Sequence, residues 1–254
     1  MSKIFTTILM ANFFAVVFIY SAGAWTNNLR FPPATTPEYK YLHEENIDGS
    51  LKYPDIWFDQ GEKFYSGNGV SVDYEQAFYY WDEISKRNNY AKAEYRLGLL
   101  YFYGRGVSKN YKLAVKWLLK AALQDYIPAS YQLGGMYYQG LNVEQNYNEA
   151  RKWFYRGAMR DDLGSMYALG LMYYNGEGGE KDYTSALRLW LPCARAGNAD
   201  AQYGLGTMYE SGWGVDKDMD KAREWYDKAA QQGHESALGA LEEMAGISGK
   251  TPDQ

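Results

Sequence analysis

Residues 93–122 read AEYRLGLLYFYGRGVSKNYKLAVKWLLKAA, and this stretch decides the fold. Ala93, Leu97, Gly98 and Tyr101 fall at i, i+4, i+5 and i+8, on one face of a helix. Gly104-Arg105-Gly106-Val107 ends that helix and turns the chain. Ala114, Trp117 and Ala121 then stand at i, i+3 and i+7, which predicts a second helix from about Tyr111.

The pattern returns. Thirty-six residues on come Ala129, Leu133, Gly134, Tyr137, Gly140, Asn142, Val143, Ala150, Trp153, Gly157 and Ala158. Another step of 36 gives Ser165, Leu169, Gly170, Tyr173, Gly176, Gly178, Gly179, Ala186, Leu189, Cys193 and Ala194. A third gives Ala201, Leu205, Gly206, Tyr209, Gly212, Gly214, Val215, Ala222, Trp225, Ala229 and Ala230. Upstream, an offset of 37 meets Gly61, Phe64, Gly67, Gly69, Val70 and Ala77; downstream, Ala237 and Leu241 begin a unit that stops. Self-similarity at such a period marks stacked supersecondary units.

A mid-helix glycine costs up to ~1 kcal/mol against alanine. Its recurrence at Gly98, Gly134, Gly170 and Gly206 therefore predicts close approach of a neighbouring helix. The Trp117 register is expected to fill the gap between layers, and the Tyr101 register to be core. Two departures stand out. The first unit has Gln60-Gly61 in place of Leu-Gly and reads as an N-terminal cap; Pro192, inside a second helix, is expected to kink it.

These residues resemble the Sel-one-like repeat family, relatives of tetratricopeptide repeats. Ala-x-Tyr-x-Leu-Gly-x-Met-Tyr from Ala201, Gly212-Trp213-Gly214-Val215 and Lys221-Ala222-x-x-Trp225-Tyr226 carry the match most clearly, and it runs from about Asp55 to Leu241. The resemblance implies an all-α fold, a right-handed α/α solenoid of about five helix-turn-helix repeats. It also implies a scaffold or adaptor role rather than one fixed activity.

Outside the repeats, Lys3, the apolar run Ile4 to Tyr20 and Ser21-Ala22-Gly23-Ala24 read as a secretory signal over residues 1–24. Left uncleaved, the run would anchor the chain in the inner membrane, and that is the expected condition for any membrane contact. Residues 25–54, with Pro32, Pro33, Pro37 and Pro54, read as an extended arm; 55–246 form the solenoid and 247–254 a tail. Cys193 is the sole cysteine, so export brings no disulfide framework. The periplasm is the expected location.

Lys and Arg total 26 against 31 Asp and Glu, a net charge of −5, which disfavours nucleic acid as a partner. No catalytic or metal-binding set emerges, and no cofactor is implied. His43 falls in the arm and His234 at the start of the last helix; Cys193 occupies a small packing position. Gly176-Glu177-Gly178-Gly179 lacks the Gly-Lys-Ser/Thr ending of a phosphate loop. The chain is therefore expected not to be an enzyme.

With the shared core positions removed, each first helix keeps a variable stripe: Arg96, Leu99, Tyr103; Gln132, Gly135, Gln139; Ala168, Leu171, Asn175; Gly204, Thr207, Ser211. First helices line the concave face in tetratricopeptide-like stacking. From this stripe Arg96, Leu99, Tyr103, Gln132, Gln139, Leu171, Asn175 and Thr207 are the candidate partner-binding residues. Arg96 and Tyr103 give it a basic-aromatic end. Tyr79, Tyr80, Tyr103, Tyr138, Tyr155 and Tyr174 are further interface candidates. The leading expectation is a periplasmic protein-binding adaptor. A narrower alternative is an immunity protein that neutralises a type VI secretion lipase effector; envelope-assembly component and cell-wall enzyme are the others.

Overall fold

The computed structural model describes residues 44–246 except 47 and 142. The signal segment, most of the arm, His43 and the tail lie outside these residues. Among the described residues eleven α-helices follow one another: α1 Pro54–Ser66, α2 Tyr74–Asn88, α3 Ala91–Tyr103, α4 Tyr111–Leu123, α5 Ile127–Gln139, α6 Tyr147–Ala158, α7 Leu163–Asn175, α8 Tyr183–Arg195, α9 Ala199–Ser211, α10 Met219–Ala230 and α11 Glu235–Met244. Each packs on the helix before it and the helix after it, giving five pairs and a final single helix. This is the all-α solenoid that the repeat implied.

One turn, built five times, joins the two helices of a pair. Gly67, Gly104, Gly140, Gly176 and Gly212 adopt left-handed backbone and donate to carbonyls four residues back, such as Leu100 O for Gly104. A few residues on, the amide of Asn110 returns to Tyr101 O at 2.8 Å, and those of Asn146, Asp182 and Asp218 make the same bond at 2.9 Å. The side chains of Asp73, Asn110, Asn146, Asp182 and Asp218 then cap the second helix, each accepting from an amide three residues on.

The helix glycines have the expected neighbour, but it is one residue away from the tryptophan register. A Cβ on Gly98 would stand 2.7 Å from Leu118, on Gly134 2.6 Å from Phe154, on Gly170 2.5 Å from Trp190, and on Gly206 2.5 Å from Tyr226. These side chains, all buried, fill the gap between the layers. Trp117, Trp153 and Trp225 are half-buried instead, with Lys120, Arg156 and Lys228 placed over their rings. The register rotates by one residue because the side chain aimed at a glycine must point straight across the pair. The fourth unit, with Trp190 there, conforms. Gly61 does too, since its Cβ would meet Trp81 at 2.2 Å.

Helix α8 holds Pro192 and continues to Arg195. Two further expectations change. Residues 44–53 are not a plain extended arm. Glu45 and Leu51 bridge across a turn, and Leu51 is buried, its N–H and C=O bonded to the Asn88 side chain at 3.0 and 2.8 Å. Chain ordered there covers the open side of the first pair. The tyrosines of the Tyr101 register are half-buried, not core. Tyr101 rests edge-on against Phe78 of the preceding pair, at its periphery.

Candidate functional site

Gly98, Gly134, Gly170 and Gly206 turn one face of their helices to the partner helix, and Tyr101 sets another face of α3 against Phe78 of the helix before. The face left over carries the stripe at 96, 99 and 103 and its counterparts, so the helical repeat does bring the candidate residues onto one side of the inner layer. Helices α5 and α7, in the middle, contain no Asp, Glu, Lys or Arg. The stripe is therefore uncharged over its centre.

Its members differ in what they offer. Leu99, Gln132 and Leu171 are buried, as are Gly135, Ala168 and Gly204, while Arg96, Tyr103, Gln139, Asn175 and Thr207 are partly exposed. The basic end is corrected by the geometry. Arg96 makes a bidentate pair with Glu62, at 2.6 and 2.7 Å, and lies over Tyr65 and Trp81, so it joins α1 to α3 rather than presenting a free charge. Thr207 also has internal duties, donating to Tyr203 O and accepting from Tyr226 OH, both at 3.2 Å. Gln132 is the opposite case. Its Nε2 is buried and meets no hydrogen-bond acceptor among the described residues. A buried amide left without a partner is costly, on the order of 1–3 kcal/mol.

Two aromatic columns went unnoticed in the sequence although both keep its period. Tyr95, Tyr131, Tyr167 and Tyr203 stand 36 apart. Tyr95 meets Tyr126 at the start of the next inner helix, Tyr131 lies against Gly164, and Tyr203 stacks on His234. Burial pushes the Tyr95 hydroxyl up to about 12 and raises that of Tyr131, so both stay protonated donors.

The second column is a set of edge-on pairs joining the end of each inner helix to the start of its outer helix. Tyr65–Tyr74, Phe102–Tyr111, Tyr138–Tyr147 and Tyr174–Tyr183 have ring centres 5.2–5.4 Å apart. The residue between the two turn glycines of the next unit covers such a pair. Arg105 lies over Tyr65 and Tyr74, Glu177 accepts from Tyr138 OH at 3.0 Å, and Trp213 stacks on Tyr183 at 5.1 Å. The nine-residue spacing within each pair was the available signal. Tyr80 and Tyr138, two interface candidates, are buried by such packing, whereas Tyr79 and Tyr155 are exposed.

Cys193 and His234 both have structural roles. Cys193 is fully buried, its thiol pushed up to about 11 by burial and directed at Leu163 O and Leu189 O, both 3.4 Å away. His234 caps α11 through Nδ1, with Nε2 3.3 Å from Asp200. Among the described residues no three His, Cys, Asp or Glu side chains gather as metal ligands, and no helix is long and apolar enough to cross a membrane. One shallow hollow, of about 210 Å³, lies between Arg151, Lys152, Tyr155, Leu169 and Tyr173.

Five helix pairs whose packing positions recur and whose free stripe does not define a helical-repeat interaction scaffold. The Sel1 repeat model matches at residues 63–89, 91–126, 127–162, 164–198 and 199–234, and the chain belongs to that family. Among solved structures it is similar to a protective antigen of uropathogenic Escherichia coli, at 32% identity and a TM-score of 0.74, over 78% of this chain and 42% of that one. The chain thus spans less than half of that protein's length. It is also similar to a Sel1 repeat protein from Oxalobacter formigenes, at 31% identity and a TM-score of 0.67, over 78% of this chain and 76% of that one. A looser match is an immunity protein from Pseudomonas aeruginosa, at 22% identity and a TM-score of 0.44, over 79% of this chain and 72% of that one. No curated protein matches the chain. Sel1 repeats mediate protein–protein interaction, and the family consists in general of adaptors and scaffolds without catalysis.

Proposed function

We propose that this chain is a periplasmic adaptor that seats an extended, largely uncharged segment of a partner protein along the inner stripe. The observation that carries the reading is the charge-free centre of the stripe on α5 and α7, where Gln132 keeps a donor without an acceptor. A peptide carbonyl laid across α5 would meet that amide once the Gln132 side chain turns outward. Gln139 and Asn175 stand on the same side, partly exposed, with further amide groups. Gly135 and Ala168 are the small members of the stripe at its centre, whereas Gly204 is packed against the Trp190 ring. Lys3, the apolar run Ile4 to Tyr20 and the small residues Ser21-Ala22-Gly23-Ala24 support export.

The test begins with the tagged chain, isolated from a periplasmic extract in native salt, and identification of what elutes with it. The captured protein is then titrated against Gln132→Leu and against Gln139→Ala with Asn175→Ala. Each is expected to raise Kd about tenfold, the scale of one lost hydrogen bond, at unchanged helicity. Wild-type affinity in both variants rejects the groove. Capture of a secreted lipase would narrow the role to immunity, and exclusive recovery in the cytoplasmic fraction would reject the location.

A further inference from the structure

The outer layer is charged in a way the chain as a whole is not. Net charge is −5, yet the outer helices α4, α6 and α8 carry Lys112, Lys116, Lys120, Arg151, Lys152, Arg156, Arg188 and Arg195 against Glu149 alone. The outward positions repeat at 36. Lys112, Lys116, Lys120 and Leu123 on α4 correspond to Asn148, Lys152, Arg156 and Met159 on α6 and its end. On α8 the counterparts include Arg188 and Arg195; on α10 they include Asp220, Glu224 and Lys228, and on α2 Glu75, Glu83 and Lys86. Cations thus fill the middle of this face, while its two ends carry both signs.

Internal pairing does not account for the middle. Lys112, Lys116, Arg188 and Arg195 are exposed and have no ion-pair partner among the described residues. Large apolar side chains stand on the same surface. Leu123, at the turn after α4, is 70% exposed, and Met159, at the next such turn, 63%, with Leu163 and Tyr155 beside them also exposed. Each turn holds its own wedge, one unit apart, with an acid two residues on, Asp125 or Asp161; Asp125 is paired with Arg156 at 2.6 Å. A protein interface concentrates apolar area in a continuous centre with charge kept to the rim. Isolated wedges among cations suit the headgroup region of an anionic bilayer.

We propose that the outer face of α4, α6 and α8 docks on an anionic lipid surface, the cations meeting phosphate and Leu123 and Met159 entering the interface. Contact through this cationic middle gives one orientation, since α2 and α10 carry both signs. That orientation turns the inner stripe away from the lipid. It does not depend on what the stripe binds, and it gives the chain a membrane contact that needs no N-terminal anchor.

The experiment is sedimentation of the full chain with vesicles of phosphatidylglycerol mixed into phosphatidylcholine, and with phosphatidylcholine alone. Binding is expected to the first, to weaken as salt is raised, and to be far lower to the second. Each basic residue near such a surface adds about fivefold in affinity, so Lys116→Glu, Arg188→Glu and Arg195→Glu together should lower binding about a hundredfold. Leu123→Ser with Met159→Ser should lower it several-fold. Every variant keeps the same N-terminal segment, so any contribution from that segment cancels. Circular dichroism and melting, unaffected because the positions are exposed, separate loss of docking from loss of fold. Equal binding to both vesicles, or wild-type binding by the charge-reversed protein, overturns the proposal. So does retention of a soluble acidic protein on this face while vesicles are ignored.

Discussion

Leu133-Gly134 in α5 and Leu241-Glu242 in α11 occupy the same repeat position at the middle and the end of the array. In α5 the leucine is fully buried and the glycine faces Phe154, which a Cβ would meet at 2.6 Å. After α11 no outer helix follows among the described residues; Leu241 is half-buried and Glu242 is exposed. The contrast teaches that the Leu-Gly pair answers to the partner helix. Where no ring arrives from across the pair, nothing calls for a glycine, and the position accepts a charged residue. A second glycine makes the point again, since Gly239 in α11 has open space around its would-be Cβ.

Leu133→Ala should have the largest effect, a loss of about 2–5 kcal/mol in urea unfolding, against about 1 kcal/mol for Leu241→Ala, whose site is only half-buried. Equal losses at the two positions would break the comparison. Next comes a charge in the inner layer. Glu94 is buried, near Lys120 at 3.9 Å and bonded to Gln124, and burial raises its carboxyl above the ordinary range. The folded state therefore holds the proton at pH values where the unfolded chain has released it. Stability from this group should fall as pH rises from the unfolded carboxylate value through the raised folded one. Melting followed from neutral pH down toward about 5 should show that gain on acidification, and Glu94→Gln should remove it.

The smallest effect has the opposite sign at the two glycines. Gly239→Ala should gain about 0.5–1 kcal/mol, because α11 replaces a flexible residue with a good helix former at no steric cost. Gly134→Ala should lose about 1–3 kcal/mol through overpacking against Phe154. A gain at Gly134 in thermal melts would show that the layers are looser than 2.6 Å implies.

Much of this was written in the chain. The 36-residue period, the turn glycines and the capping Asn and Asp at 110, 146, 182 and 218 are local or strictly repeated, so sequence alone determined the helices, their pairing and the stacked array. The stripe at 96, 99 and 103 was legible too, because helical geometry fixes which residues share a face. What sequence could not decide was which side chain crosses to the glycine. Trp117 and Leu118 are neighbours in the chain, and only the angle between packed helices selects Leu118 for the gap. Nor could it show that Glu62 claims Arg96, that Gln132 lacks a partner, or that seven cations share one outer face while Arg151 turns to Gly178. Those facts arise between residues some thirty positions apart, whose distance is set when the units stack and not before.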